Sequence, residues 1–217
     1  MLDDTTNDGL YNYIALGTRD LAKKYIEWGF TPIPIRPAWK YSPNTPKAAR
    51  KAPLYTGWQL TKRAEAMENI IKATSTYKDA LNIGIVCGKE HDLMVIDIDI
   101  GDKGLETWEK LEKGHDPIRT FRVRTGSGGL HLYFKYAPIP TAIRSYYGDG
   151  VVGIDVRSDR SQVLGPYSIH PETGAMYKIL DGYVSGRPVI EPCPTWIIEE
   201  LSLDKDKSPK PGRWIIR

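Results

Sequence analysis

The chain has 217 residues, 41% hydrophobic and 26% charged, a balance ordinary for a folded globular protein and unlike a fibre, a repeat array or a disordered chain. Its formal net charge of +3 is weaker than expected of a protein whose whole surface grips nucleic acid. No apolar run approaches the roughly 20 residues that span a bilayer, and the polar start Met1-Leu2-Asp3-Asp4 is unlike a signal peptide, so a cytoplasmic or nucleoid-associated protein with no membrane partner is expected.

Residues 1–16 lack a clear period and are expected to form an N-terminal arm, ahead of a folded domain over 17–202 and a Lys- and Pro-rich tail or linker over 203–217. Leu21, Ala22, Tyr25, Ile26 and Trp28 recur at near-helical spacing, with Thr18 as N-cap and Gly29 past the end. Thr31-Pro32-Ile33-Pro34-Ile35 is extended, and its prolines confine it to a sheet edge or irregular structure. From Trp28 through Ala64 there is no Asp or Glu, whereas Arg36, Lys40, Lys47, Arg50, Lys51, Lys62 and Arg63 all fall there. Trp39, Tyr41, Tyr55 and Trp58 are interleaved with them, a mixture that suits phosphates and stacked bases, or else a solvated loop whose aromatics turn inward.

Thr61 is placed to cap a helix running to about Ala73. Asn82 to Gly88 reads as a short strand, and the brief Gly88–Asp92 connection predicts an antiparallel pairing with the next strand, Leu93 to Ile100. Leu105, Trp108 and Leu111 mark a helix ended by Gly114. Strands follow at 120–124, 130–134, 151–157, near 162–164 and at 176–179, before a closing helix from Thr195 to Leu201. The order indicates a mixed α+β fold.

Four features carry chemistry. In Leu93-Met94-Val95-Ile96-Asp97-Ile98-Asp99-Ile100 the alternation of a strand puts Asp97 and Asp99 on one face and the isoleucines on the other. Two like charges side by side call for a cation, and oxygen-only ligands suit Mg²⁺ or Mn²⁺, although an Asp-x-Asp pair also occurs simply facing water. Asp155 repeats the pattern between Ile154 and Val156, with Arg157 on its own face, fit either to hold a triphosphate or to pair with Asp155. Thr125-Gly126-Ser127-Gly128-Gly129-Leu130-His131 reads as a plain hairpin turn or as a phosphate-gripping loop, with Arg122 and Arg124 on the preceding strand to strengthen it. Ser168 and His170 in Pro166-Tyr167-Ser168-Ile169-His170-Pro171 are either a capping serine and a surface histidine or the rim of a nucleotide pocket. With Cys87 and Cys193 as the only cysteines, neither a zinc site nor a disulfide framework is expected. Neither a P-loop nor an HExxH motif occurs, and the Gly-Ser-Gly-Gly run leads into a strand, which removes the hydrolase elbow.

The order Asp97-x-Asp99, Ser127-Gly-Gly-x-His131, Ile154-Asp155-Val-Arg157 and Ser168-x-His170 resembles the bifunctional primase-polymerase (Prim-Pol) domain of the archaeo-eukaryotic primase superfamily. Such domains occur in replication proteins of plasmids and phages and in some CRISPR-associated proteins, and many continue into a helicase. The likeness runs from about Leu21 to about Leu180 and takes in Lys51-x-Pro53 and Trp58. It implies an N-terminal α/β unit joined to an RRM-like sheet, with the active site in the cleft between them. It also implies that Asp97, Asp99 and Asp155 hold two catalytic metals and that His131 meets the phosphates of an incoming dNTP or NTP. Ser127, Gly128, Arg124, Arg157, Lys51, Ser168 and His170 become neighbours of the triphosphate. The basic and aromatic window, read by itself, offers Arg36, Lys40, Lys47, Arg50 and Trp58 as expected contacts for a single-stranded DNA template and primer. The expected activity is template-directed nucleotidyl transfer; the rivals are a metal-dependent nuclease or phosphodiesterase and a non-catalytic single-strand-binding module.

Overall fold

The computed structural model of the chain describes residues 17–38, 44–46, 49–77, 81–101, 103–139, 142–143 and 153–201. The expected arm and tail, and Lys40 and Lys47, lie outside these. In chain order the elements are α1 (Thr18–Glu27), β1 (Pro32–Ile35), α2 (Arg63–Tyr77), β2 (Asn82–Val86), β3 (Met94–Ile98), α3 (Gly104–Glu112), β4 (Arg122–Arg124) and β5 (Leu130–Phe134). They continue with β6 (Ala142–Ile143), β7 (Ile154–Arg157), β8 (Gln162–Leu164), β9 (Lys178–Asp181), β10 (Tyr183–Val184), β11 (Arg187–Pro188) and α4 (Thr195–Leu201). This is a mixed α+β fold. Among the described residues no helix is long and apolar enough to cross a membrane.

Two compact units divide the chain, one reaching Ile85 and resuming over Leu164–Met176, the other formed by Val86–Val163 and the residues from Tyr177 onward. In the first unit α1 buries Leu21, Ala22 and Tyr25 on one stripe. The expected cap is corrected: Gly17 takes the N-cap position without a side-chain bond. The Thr18 hydroxyl instead accepts the Leu81 N–H at 2.8 Å and donates to the Leu81 carbonyl at 3.3 Å. Tyr25 is fully buried and donates its hydroxyl to the carbonyl of Pro166. A Cβ at Gly165 would lie 2.3 Å from that hydroxyl oxygen, so only glycine lets the chain pass the ring. β1 pairs antiparallel with β2, Pro34 opposite Ile83, and stands at the edge of the order β1-β2-β8, where its prolines cost no ladder bond. α2 runs to Tyr77, past the expected end near Ala73, and buries Ala66, Ile70 and Thr74.

The predicted pairing of β2 with β3 is not formed. β3 lies instead in a second sheet of order β6-β7-β3-β5-β4-β9, with antiparallel neighbours β5 and β7 on either side. Between β2 and β3 the chain turns at Gly88 (φ +127), makes one 3₁₀ turn over Lys89–His91 and leaves only the isolated bridge of Gly88 with Leu93. Four of the five β3 residues are buried, and a strand covered on both faces belongs at the centre of a sheet. One face of this sheet, bearing Ile96, Ile98, Leu132, Ile154 and Val156, packs on Trp108 of α3 and on Ile197 and Leu201 of α4. The other face carries the polar residues of interest.

Candidate active site

Asp97 is the fourth of the five β3 residues, and its register partners are His131 on β5 and Asp155 on β7. Residues directly opposite in antiparallel pairs project to the same face, so Asp155, Asp97 and His131 form one row across three strands. Val95 makes the next row, with Tyr133 opposite it on β5 and Arg157 on β7. The alternation that sends Ile96 and Ile98 into the core is what raises these side chains on the other side.

The row is tightly charged. His131 Nε2 lies 3.4 Å from Asp97 Oδ1. Arg157 Nη2 donates to Asp97 Oδ2 at 3.1 Å and to Asp155 Oδ2 at 2.6 Å, and its Nε reaches Asp97 Oδ2 at 3.3 Å. Burial works against the charge on this guanidinium, but Asp97, Asp155 and, less closely, Asp99 raise its pKa above the usual value. Asp99 follows β3 and is half-buried; its N–H donates to the Gly153 carbonyl at 2.8 Å and its carbonyl accepts the Gly104 N–H at 2.9 Å. His131 is buried, and among the described residues its Nδ1 has no hydrogen-bond partner.

The donors of Asp97, Asp99 and Asp155 are carboxylate oxygens, the hard chemistry preferred by Mg²⁺ and Mn²⁺. Asp97 and Asp155 already converge on one cationic nitrogen, so in charge and donor type they fit a divalent ion. Among the described residues no three His, Cys, Asp or Glu side chains are grouped to hold a metal as they stand. As they stand, Asp97 and Asp155 each give one oxygen to Arg157 Nη2.

The glycine loop closes the β4–β5 hairpin. Thr125 N–H donates to the Gly129 carbonyl at 2.9 Å, Gly128 N–H to the Thr125 carbonyl at 3.0 Å, and the Thr125 and Ser127 hydroxyls meet at 3.0 Å. The Gly128 amide is thus engaged inside the turn, at φ +101, rather than offered outward. One expectation is corrected by the register. Arg122 and Arg124 pair with Leu132 and Leu130, whereas Val123 pairs with His131, so Arg124 projects from the face opposite the acidic row. Arg122 is held there by the Ile118 carbonyl and by Asp181.

Ser168 and His170 belong to the first unit. The Ser168 hydroxyl is buried and engaged with the β2 main chain, accepting the Ile83 N–H at 3.2 Å and donating to the Ile83 carbonyl at 3.1 Å. Beside it the Asn82 amide holds both polar groups of Ile169, at 2.7 and 2.8 Å. These bonds give Ser168 a structural task where a nucleotide contact was expected. His170 Nδ1 accepts the N–H groups of Glu172 and Thr173 at 3.3 and 3.4 Å. Burial, then the nearby Lys51 charge, lower its pKa to about 4. Arg50 is tied to Glu172 and donates to the Thr45 carbonyl at 3.0 Å; Arg36 and Trp58 are half-buried and Lys51 is exposed.

Two residues near the acidic row carry no motif signal. Tyr177 packs its ring 5.6 Å from that of His131, and the Cys87 thiol lies close enough to feel both Arg157 and Asp97. Burial first, against the pull of Arg157, pushes that thiol up to about 12, which keeps it protonated. Tyr133 is fully buried against Phe121 and His131.

A family model for the N-terminal domain of bifunctional DNA primase/polymerases matches residues 22–196. That span covers most of the chain and defines a DNA primase/polymerase-type nucleotidyltransferase domain. The chain belongs to the Prim-Pol family. Comparison with curated proteins finds no matching relative.

Proposed function

We propose that the protein is a template-directed DNA primase/polymerase that joins nucleotides from dNTPs or NTPs on a single-stranded DNA template, with Asp97, Asp99 and Asp155 as the ligands of two Mg²⁺ or Mn²⁺ ions. The observation that carries this reading is the row Asp155–Asp97–His131 on adjacent strands. Bound there, the metals supply activation of the attacking hydroxyl and neutralisation of the departing pyrophosphate. Asp97 and Asp155 fix the charge and the spacing, since both project from the rigid centre of one sheet. His131 stands in the acidic row with its Nε2 3.4 Å from Asp97 Oδ1, and is the candidate to meet a phosphate oxygen there. Arg157 orients the triphosphate from the same face. Such chemistry depends on positioning and charge neutralisation more than on covalent participation.

The basic and aromatic window of the first unit supplies Arg36, Lys40, Lys47, Lys51 and Trp58 as candidate template contacts, and a helicase or other replication protein is the natural partner. The deciding experiment offers unprimed and primed single-stranded templates, labelled dNTPs or NTPs, and Mg²⁺ or Mn²⁺ in parallel. Metal-dependent product that lengthens with template supports the reading. Degradation of the template without synthesis supports a nuclease, and salt-sensitive binding indifferent to metal and to Asp97→Asn supports a binding module.

A further inference from the structure

We propose that Arg157 couples metal binding to triphosphate binding, because its guanidinium is bonded to one oxygen of each of two carboxylates, Asp97 and Asp155, that are assigned to the metals. The inference rests on the two-metal reading above. One nitrogen, Nη2, serves Asp97 Oδ2 at 3.1 Å and Asp155 Oδ2 at 2.6 Å. Those two bonds are charge-assisted and lie in a largely desolvated site, so the arginine is a strong competitor for any cation arriving alone.

A metal entering alone meets a second cost. It displaces the guanidinium from Asp97 and Asp155 at once, and Asp99, the third acid whose charge reaches Arg157 among the described residues, is itself assigned to the metals. A triphosphate arriving with the metal removes that cost. Arg157 projects from β7 on the face of the acidic row, so its freed side chain swings over the site and pairs with phosphate oxygens. Each ligand thereby supplies what the other displaces. Metal and triphosphate then strengthen one another by the same factor.

The test measures binding of Mn²⁺ alone to the full chain, by the resonance signal of free Mn²⁺, in the wild type, Arg157→Gln, Arg157→Lys and Asp97→Asn. Arg157→Gln is expected to bind Mn²⁺ at least about tenfold more tightly than the wild type, and Mn²⁺ is expected to raise its melting temperature further. Arg157→Lys, whose single ammonium cannot reproduce the planar fork, is expected to tighten Mn²⁺ binding several-fold and serves if the glutamine variant does not fold. Adding α,β-methylene-dATP should tighten Mn²⁺ binding by a smaller factor in either variant than in the wild type. Unchanged or weaker Mn²⁺ binding in the variants overturns the inference while the metal reading stands. Mn²⁺ binding that is indifferent to Asp97→Asn overturns the metal reading and the inference together.

Discussion

Gly129 and Ile98 meet through their backbones: a Cβ at position 129 would fall 2.1 Å from the Ile98 carbonyl oxygen. This contact sits one residue from the pairing of Ile98 with Leu130 and two residues before His131. Gly129→Ala must therefore push β5 away from β3, and a destabilisation of about 1–3 kcal/mol is expected in chemical denaturation, together with a loss of nucleotide incorporation. Gly101→Ala, where an added methyl meets nothing within 4 Å, is the control and should stay within about 0.5 kcal/mol of the wild type.

Asp97→Asn and Asp155→Asn are each expected to lower incorporation at least about a hundredfold in a primer-extension assay. Neither should unfold the protein, because Arg157 retains one carboxylate partner in each variant while the repulsion between neighbouring acids falls. A melting temperature near that of the wild type, combined with lost activity, is the expected pair of results. Full Mn²⁺-dependent extension in either variant overturns the metal-ligand assignment.

Acid stability should carry the signature of His170. Its imidazole takes up a proton near pH 6.5 in the unfolded chain and only near pH 4 in the folded one. Between these values the unfolded state binds more protons, so stability is complete above about pH 6.5 and drains away as the pH falls toward 4. Protonating Nδ1 also removes the acceptor for the Glu172 and Thr173 amides. The loss is of order 3–4 kcal/mol at about 1.4 kcal/mol per pKa unit. Urea denaturation across this range should flatten in His170→Gln, and Lys51→Met should raise the imidazole pKa followed by NMR, since the Lys51 charge helps to lower it.

Ser168→Ala separates scaffold from nucleotide contact. The substitution leaves the buried Ile83 N–H without its hydroxyl acceptor, and about 1–3 kcal/mol of stability should be lost. Triphosphate affinity measured well below the melting temperature should stay within about twofold of the wild type. A large fall in affinity with unchanged stability would return Ser168 to the nucleotide pocket.

What was legible in the sequence was local and periodic. The alternation in Val95-Ile96-Asp97-Ile98 determines which side chains are raised together, and the edge position of β1 follows from its prolines. The pairing partners of β3 were not legible. A short connection favours hairpin pairing, but β2 is claimed by β1 and β8, and β3 by β5 and β7. The face of Arg124 was lost for a related reason. Arg124 closes the hairpin opposite Leu130 and therefore shares its face, and only the closing pair of the turn reveals that parity. The tasks of Thr18 and Ser168 depend on partners 63 and 85 residues away, beyond any local pattern.

The first unit is discontinuous in sequence, and this has a consequence for how the protein is made. Its final segment, Leu164–Met176, carries the Ser168 and Ile169 bonds to β2, yet emerges from the ribosome some eighty residues after β2 itself. By then β3, β5 and β7 are all available, so the sheet bearing the acidic row has its central strands before the first unit receives its last piece. A fragment ending at Ile85 lacks that piece and leaves the Ile83 amide and the Asn82 side chain without their partners. Attempts to express that unit alone should carry 164–176 on a linker rather than stop at the unit's first boundary.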